Sequence, residues 1–454
     1  MTRSMLRDIF RLAAPVFIAQ IAIMANGLVD TLMAGRYGTV DLAAVGIGAS
    51  IYVTLFVTLN GILIALTPIC GQLFGAGRYT EIGEEVRQSL WFALGLTALS
   101  LFMLAHPEPL FRLAGLTGEV ESKTRAYLEA IAWGVPAAYA LRVFQGFSTA
   151  ISKPRLVMLL NLCGLALKVP LNGLLMYGGF GLPAMGGAGC ALATSLIAWL
   201  ICVVAWIACA TQSEYTAFEV FKRWSWPRAK AQWQLIALGG PIGFTFLVDV
   251  TAFTFMALFI ARFGVLFAGA HQIAANVTAL CFMLPLALGN ATAVLCAQAI
   301  GAGEYGRAKQ IGWHGILMGF GAGLAVGLLI YVGAGPIARL YTNDPAVRDV
   351  ATTLLLFVSA YHLYDAIQAV AVNVLRAYRR TFLPMLFYGI ALWGLGLGGG
   401  YLLGIEGWLN EGVPMRAAGF WTGGLVGMGL TALLGCAYFL VVSRASARRA
   451  TPTA

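Results

Sequence analysis

The chain has 454 residues, 60% of them hydrophobic and only 11% charged, with a formal net charge of +10 and a mean hydropathy of +0.82. Too little polar surface exists to coat a soluble globule of this size, so the composition describes a polytopic membrane protein. The positive balance is no sign of nucleic-acid binding, because no basic cluster alternates with exposed aromatics.

Crossing a hydrocarbon core roughly 30 Å thick takes about 20 apolar residues in a helix. Twelve such spans are predicted, at 10–34, 44–70, 89–107, 126–150, 156–178, 188–210, 236–261, 271–297, 312–334, 350–375, 383–404 and 418–442. The first apolar run is too long for a cleavable signal and is expected to be a span. With the N-terminus inside, nineteen Lys and Arg fall in the termini and even-to-odd loops, among them Arg376, against eight on the opposite side. That bias puts both termini in the cytoplasm. The eight cysteines lack metal or redox spacing and read as small apolar fillers.

An internal duplication organises the spans. Shifted by 226 residues, 12–79 overlays 238–305 without a gap and with sixteen identities in 68 positions, including Pro15 on Pro241, Arg36 on Arg262, Gln72 on Gln298 and Gly75-Ala76-Gly77 on Gly301-Ala302-Gly303. Shared greasiness alone would not align those residues. The expected fold is an all-α integral membrane protein of twelve transmembrane helices in two six-helix lobes, residues 1–210 and 235–454, joined by a cytoplasmic linker at 211–234. Six is even, so the repeats are parallel, and a cavity between lobes is the expected substrate site.

Ionisable residues inside spans are costly and mark transport pathways. In span 1, Asp30 follows Asn26 by one helical turn; in span 5, Lys168 and Asn172 are spaced alike beside Pro170. Lys168 can pair with Asp30 and keep it charged, or snorkel to an interface. Arg142 with Gln145 reads as a tie between helices. In the second lobe Asp249 lies near the centre of span 7, with Thr245 a turn away, and Tyr361, Asp365 and Gln368 share a stripe of span 10. Asp249, Asp365 and Tyr361 make an oxygen-rich site for Na⁺ or a coupled acid pair for H⁺. The span-11 glycines from Gly394 to Gly404 suit close helix packing rather than phosphate binding. No Gly-Lys dipeptide exists, so an ATPase loop is absent.

These residues together resemble the multidrug and toxic compound extrusion family, in its NorM-like bacterial branch. The likeness rests on Leu12-Ala13-Ala14-Pro15 with Gln20, Val29-Asp30-Thr31, Asp41-Leu42-Ala43-Ala44-Val45, Thr67-Pro68, Gln72 with Gly75-Ala76-Gly77, and Pro170-Leu171-Asn172. In the second lobe it rests on Pro241, Asp249, Tyr361, Asp365, Gln368 and Leu375-Arg376-Ala377-Tyr378. The resemblance implies a multi-pass protein of the bacterial inner membrane that exports cationic or amphipathic small molecules in exchange for Na⁺ or H⁺. It also implies that Asp249, Tyr361 and Asp365 form the cation site and that Asp30 and Asn172 belong to an N-lobe polar site. Two departures stand out: the family's span-7 acid is commonly Glu where this chain has Asp249, and position 168 is commonly Asn rather than Lys168.

The expectation is therefore a cation-coupled antiporter, not an enzyme, with no cofactor beyond the coupling ion. Its partners are its substrates and the lipid bilayer; nucleic acid is not among them, and a monomer is expected. A lipid-intermediate flippase of the same superfamily would favour more spans and a basic cavity. An intramembrane aspartyl protease has Tyr364-Asp365 in its favour but lacks the companion Gly-x-Gly-Asp, since Leu247-Val248 precedes Asp249.

Overall fold

The computed structural model describes residues 3–408 and 412–450. The chain runs almost without pause through helices: α1 (Arg3–Tyr37), α2 (Thr39–Leu63), α3 (Leu66–Gly75), α4 (Tyr79–Ala105), α5 (Glu108–Leu113), α6 (Gly118–Ala132), α7 (Val135–Ala150), α8 (Pro154–Tyr177) and α9 (Gly187–Thr211). After the short α10 (Ser213–Thr216) come α11 (Ala229–Ala261), α12 (Val265–Gly301), α13 (Tyr305–Tyr341), α14 (Pro345–Ala377), α15 (Phe382–Gly389), α16 (Gly399–Tyr401) and α17 (Ala417–Ala450). Wider π-helical turns, Ile390–Gly398 and Leu402–Glu406, flank α16. No β-strand occurs among the described residues beyond an isolated bridge of Gly179 with Leu182.

Among the described residues, eleven helical stretches are long and apolar enough to cross a membrane. The expected span at 126–150 is not one of them, because it is divided between α6 and α7 at Trp133-Gly134. Pro136, just inside α7, has no N–H to offer the preceding turn. Carbonyls freed there must find partners, since lipid supplies none. Side chains of α9 contribute: Ser195 Oγ donates to the carbonyls of Ala130 (2.8 Å) and, more weakly, Ile131 (3.3 Å), which also accepts the Gly134 N–H at 2.9 Å, and Trp199 Nε1 donates to that of Trp133 (2.8 Å). Span 2 is broken in the same way between α2 and α3, three residues ahead of Pro68.

Packing divides the chain into two compact units, Ile18–Gly243 and Met1–Phe17 with Phe244–Ala454. The first has its core around Val143, Phe144, Phe147, Tyr139 and Tyr215. The second has two, one around Tyr361, Phe420 and Trp421 and another around Val370, Val374, Leu375 and Phe439. Large apolar side chains such as Phe102, Leu329 and Val332 remain exposed, as lipid-facing positions do. The duplication is visible in the backbone: Gly77 and Gly303, which align at the shift of 226, both take a left-handed turn after a helix, with φ of 70° and 79°.

The 211–234 segment is docked rather than loose. Arg87 Nη1 donates to the carbonyls of Glu219 and Val220, Gln88 Nε2 to that of Trp226 at 2.8 Å, and Trp91 Nε1 to that of Ser225 at 3.0 Å. Trp224, Trp226 and Trp233 stay exposed beside this anchored strip, a composition suited to the membrane–water boundary.

Candidate functional site

Helices α11, α12, α14 and α15 of the second unit enclose a cavity of about 470 Å³, and its residues all lie between 245 and 388. The volume is within the range of drug-sized ligand sites. On α14 the lining residues Tyr361, Asp365, Gln368, Val372 and Arg376 recur every three or four positions, which puts them on one helical face. On α11, Thr245, Asp249 and Phe253 do the same. Phe246, Phe253, Phe282 and Met283 make the wall largely apolar.

The four C-lobe residues expected from sequence, Asp249, Tyr361, Asp365 and Gln368, thus all border one cavity. Asp249 accepts a hydrogen bond of 2.5 Å from Tyr388 Oη of α15, and the neighbouring Trp393 Nε1 reaches the Val248 carbonyl at 3.3 Å. Asp365 is 5% exposed, and its nearest basic atom is His362 Nδ1, 3.9 Å from Oδ2. Among the described residues no lysine or arginine forms an ion pair with either carboxylate. Carboxylates, phenols and an amide around an amphipathic chamber can bind a monovalent cation, carry a proton or attract a cationic ligand.

Three residues here escaped the sequence reading. Tyr388 lies 139 positions from Asp249, and no spacing rule links them. His362 is fully buried, with neither ring nitrogen hydrogen-bonded among the described residues; its place one turn before Asp365 was a signal available in the sequence. Arg376 was counted among cytoplasmic basic residues, yet it is only 8% exposed and lines the cavity.

In the first unit, Lys168 and Asp30 meet: Nζ lies 2.9 Å from Oδ1, with the two side chains 1% and 13% exposed. Asn172 Nδ2 donates to the same carboxylate at 2.7 Å. Lys168 also donates to the Cys190 carbonyl at 3.2 Å and to Thr194 Oγ1. The lysine is therefore fully engaged and does not snorkel. Asn26 instead donates to the Ala22 carbonyl of its own helix at 3.0 Å. Arg142 bonds Gln145 at 3.1 Å and lies over the Phe56 ring of α2, consistent with a tie between helices.

A second charged knot joins α2, α6 and α9. Asp41 receives Lys123 Nζ at 2.6 Å and the Gly187 backbone N–H at 2.7 Å. Asp41 and Glu119 together hold the Lys123 ammonium above its ordinary range.

An all-α, internally duplicated, multi-pass membrane protein with two carboxylates, one buried and one half-buried, on a chamber among its spans is the class that fold and site define. The sequence matches the MatE family over residues 15–174 and 241–402, two segments that begin at the aligned Pro15 and Pro241. The chain belongs to the MatE family, in its NorM-like bacterial branch, and is a transport protein rather than an enzyme. It is 37% identical to a probable multidrug resistance protein NorM of Aromatoleum aromaticum, over 94% of this chain and 92% of that one. It is also 37% identical to the multidrug resistance protein PmpM of Pseudomonas aeruginosa, over 96% and 91% respectively. Among solved structures, a MATE protein in the bent conformation superposes with a TM-score of 0.89 at 18% identity, covering 98% of this chain and 97% of that one, a likeness of fold.

Proposed function

We propose that this protein is a cation-coupled multidrug efflux antiporter of the bacterial inner membrane, exporting cationic or amphipathic compounds by alternating access with both termini in the cytoplasm. Residues 1–210 and 235–454 are its repeated lobes and 211–234 their tether. The observation that carries this reading is the pair Asp249 and Asp365, lining one amphipathic cavity with no arginine or lysine ion-pair partner among the described residues. Negative charge there attracts a cationic ligand, and entry of Na⁺ or H⁺ from outside displaces it and resets the carrier. Asp249, Asp365, Tyr361 and Gln368 are the coupling residues. The N-lobe cluster of Asp30, Lys168 and Asn172, with Asn26 on the same helix, has its charge already balanced and serves as a polar support rather than a second coupling site.

Purified protein in liposomes, loaded with a cationic dye and given a Na⁺ gradient or a pH gradient separately, tests the proposal and identifies the ion. Dye movement should follow one of the gradients and cease in Asp249→Asn and Asp365→Asn, with both variants still inserted and monodisperse. Transport that ignores both gradients, or persists at wild-type rates in the two variants, would contradict it.

A further inference from the structure

We infer that the 211–234 segment is a docking strip for anionic phospholipids, with Lys222, Arg223 and Lys230 meeting the headgroup phosphate and the indoles of Trp224, Trp226 and Trp233 seated at headgroup depth. Such a site is independent of what the chamber transports. Trp224 and Trp226 are 73% and 71% exposed, yet their positions are fixed. Trp91 of α4 lies 5.7 Å from Trp224, edge to face, and 6.1 Å from Trp226, stacked, and the two exposed indoles meet each other at 6.0 Å. Large rings held open in a rigid cluster form the kind of apolar patch that marks a protein or membrane contact.

The rigidity comes from one face of α4. Glu84, Arg87, Gln88 and Trp91 follow helical spacing, so all four project from the same side. Arg87 Nε donates to Ser225 Oγ at 3.1 Å, the Arg228 backbone N–H to Gln88 Oε1 at 2.8 Å, and Gln232 Nε2 to the Gln88 carbonyl at 3.0 Å. The strip and α4 belong to the same compact unit. Its depth is set by its ends, since α9 stops at Thr211 and α11 begins at Ala229. Trp206, near the end of α9, also meets Phe221 edge-on at 5.9 Å. These ties hold the indoles at the ends of two spans, the level at which tryptophan favours the membrane interface.

Charge selects the lipid. The Lys153–Glu214 and Arg78–Glu81 pairs neutralise themselves. What remains on the strip and the α4 face that holds it is five basic side chains against two acidic ones, Glu84 and Glu219. Glu84 is taken by Arg87 at 2.7 Å and Arg228 at 3.1 Å, while Lys222 and Arg223 share Glu219 at 3.2 and 3.7 Å. Among the described residues no carboxylate pairs with Lys230. A headgroup with a net negative charge complements this surplus, whereas a zwitterionic headgroup brings its own cation and gains less. A soluble anion would leave the indoles without a partner. A plainer role is an orientation signal, read once at insertion; that needs neither a clamped backbone nor exposed indoles, and it gives the folded protein no preference among lipids.

Bromine on a lipid chain quenches indole fluorescence on contact, which supplies the test. The full-length protein is reconstituted in phosphatidylcholine vesicles carrying rising fractions of brominated phosphatidylglycerol or of brominated phosphatidylcholine. Fluorescence is compared for wild type, a Lys222→Gln, Arg223→Gln, Lys230→Gln variant, and a Trp224→Phe, Trp226→Phe, Trp233→Phe variant. One basic residue near an anionic surface corresponds to about a fivefold gain in affinity. Three, partly offset by Glu219, should give the wild type about a tenfold preference for the anionic lipid, reduced at high salt. The glutamine variant should fall to within about twofold of no preference. The phenylalanine variant should lose the lipid-selective part of the quenching and keep the rest. Lys222→Arg with Lys230→Arg should retain the preference, which separates charge from damage to the fold. Equal quenching by both lipids in the wild type, or a preference that the glutamine variant retains, would overturn the inference. So would its loss in the arginine variant, or its loss on adding millimolar inorganic phosphate at constant ionic strength, which would assign the strip to a soluble anion.

Discussion

At the level of single residues, the two units use charge in opposite ways. Asp30 has a lysine and an amide on one oxygen, whereas Asp249 has, among the described residues, only a phenol. Removing one member of a buried ion pair commonly costs about 3–5 kcal/mol, since the survivor stays charged. Partial exposure of Asp30 and its bond to Asn172 reduce that figure, so Lys168→Met is expected to cost about 2–3 kcal/mol. Adding Asp30→Asn should recover more than half of it. Thermal unfolding of the two single variants and the double variant in detergent measures this coupling, and a Lys168→Met protein that melts like wild type would rule the pair out as a stabilising element. Tyr388→Phe removes the hydroxyl from Asp249 without changing shape. Transport in that variant should fall about tenfold, with stability lowered by about 1 kcal/mol at most; unaltered transport would show the hydrogen bond to be incidental.

Among the elements, backbone chemistry decides where helices break and how closely they approach. The break between α6 and α7 survives at membrane depth because Ser195 and Trp199 take up its carbonyls. Ser195→Ala removes the donor to the Ala130 carbonyl, Ile131 keeping the Gly134 N–H at 2.9 Å, and should destabilise the fold by about 1–3 kcal/mol, read as a lower unfolding midpoint; no change would mean that other donors suffice. The π-helical stretch Ile390–Gly398 packs on α17 through glycine: a Cβ at Gly423 would stand 2.5 Å from the Gly396 carbonyl and 2.6 Å from Gly400 N. Gly423→Val should therefore force the helices apart at a cost of about 1–3 kcal/mol, seen in the same melt. The sequence expectation of close packing in span 11 agrees with this contact, but not with the form it takes. Nothing in the glycine spacing called for π-helical turns, whose hydrogen bonds run from i to i+5 and which are frequent at functional sites.

For the whole molecule, orientation follows from charge bias rather than from packing. With both termini inside, a cysteine introduced in the 211–234 segment should label from the cytoplasm and one in the 178–187 loop from outside. The reverse pattern would invert the direction of transport argued above. Burial of Arg376 removes it from the cytoplasmic set without changing the direction of that bias: eighteen basic residues remain against eight.

What the sequence determined by itself is whatever is local and additive. Membrane character follows from summed hydropathy, the repeat from a constant shift of 226, and the candidate acids from charges standing alone in apolar runs. Those properties belong to a segment whatever surrounds it, so Asp249, Tyr361, Asp365 and Gln368 could be named as one stripe and its neighbour before any fold was known. The tertiary structure alone decided partnership. Whether Lys168 snorkels or pairs depends on a carboxylate well over a hundred residues away, and so does the donor that holds Asp249. The same holds for Arg376, which a one-dimensional reading sends to a cytoplasmic loop because it stands at the end of a span. Packing against Asn373 and Phe246 turns it inward. Such choices rest on the approach of side chains across helices, and their energies arise only when burial has already removed the water that would otherwise satisfy each group.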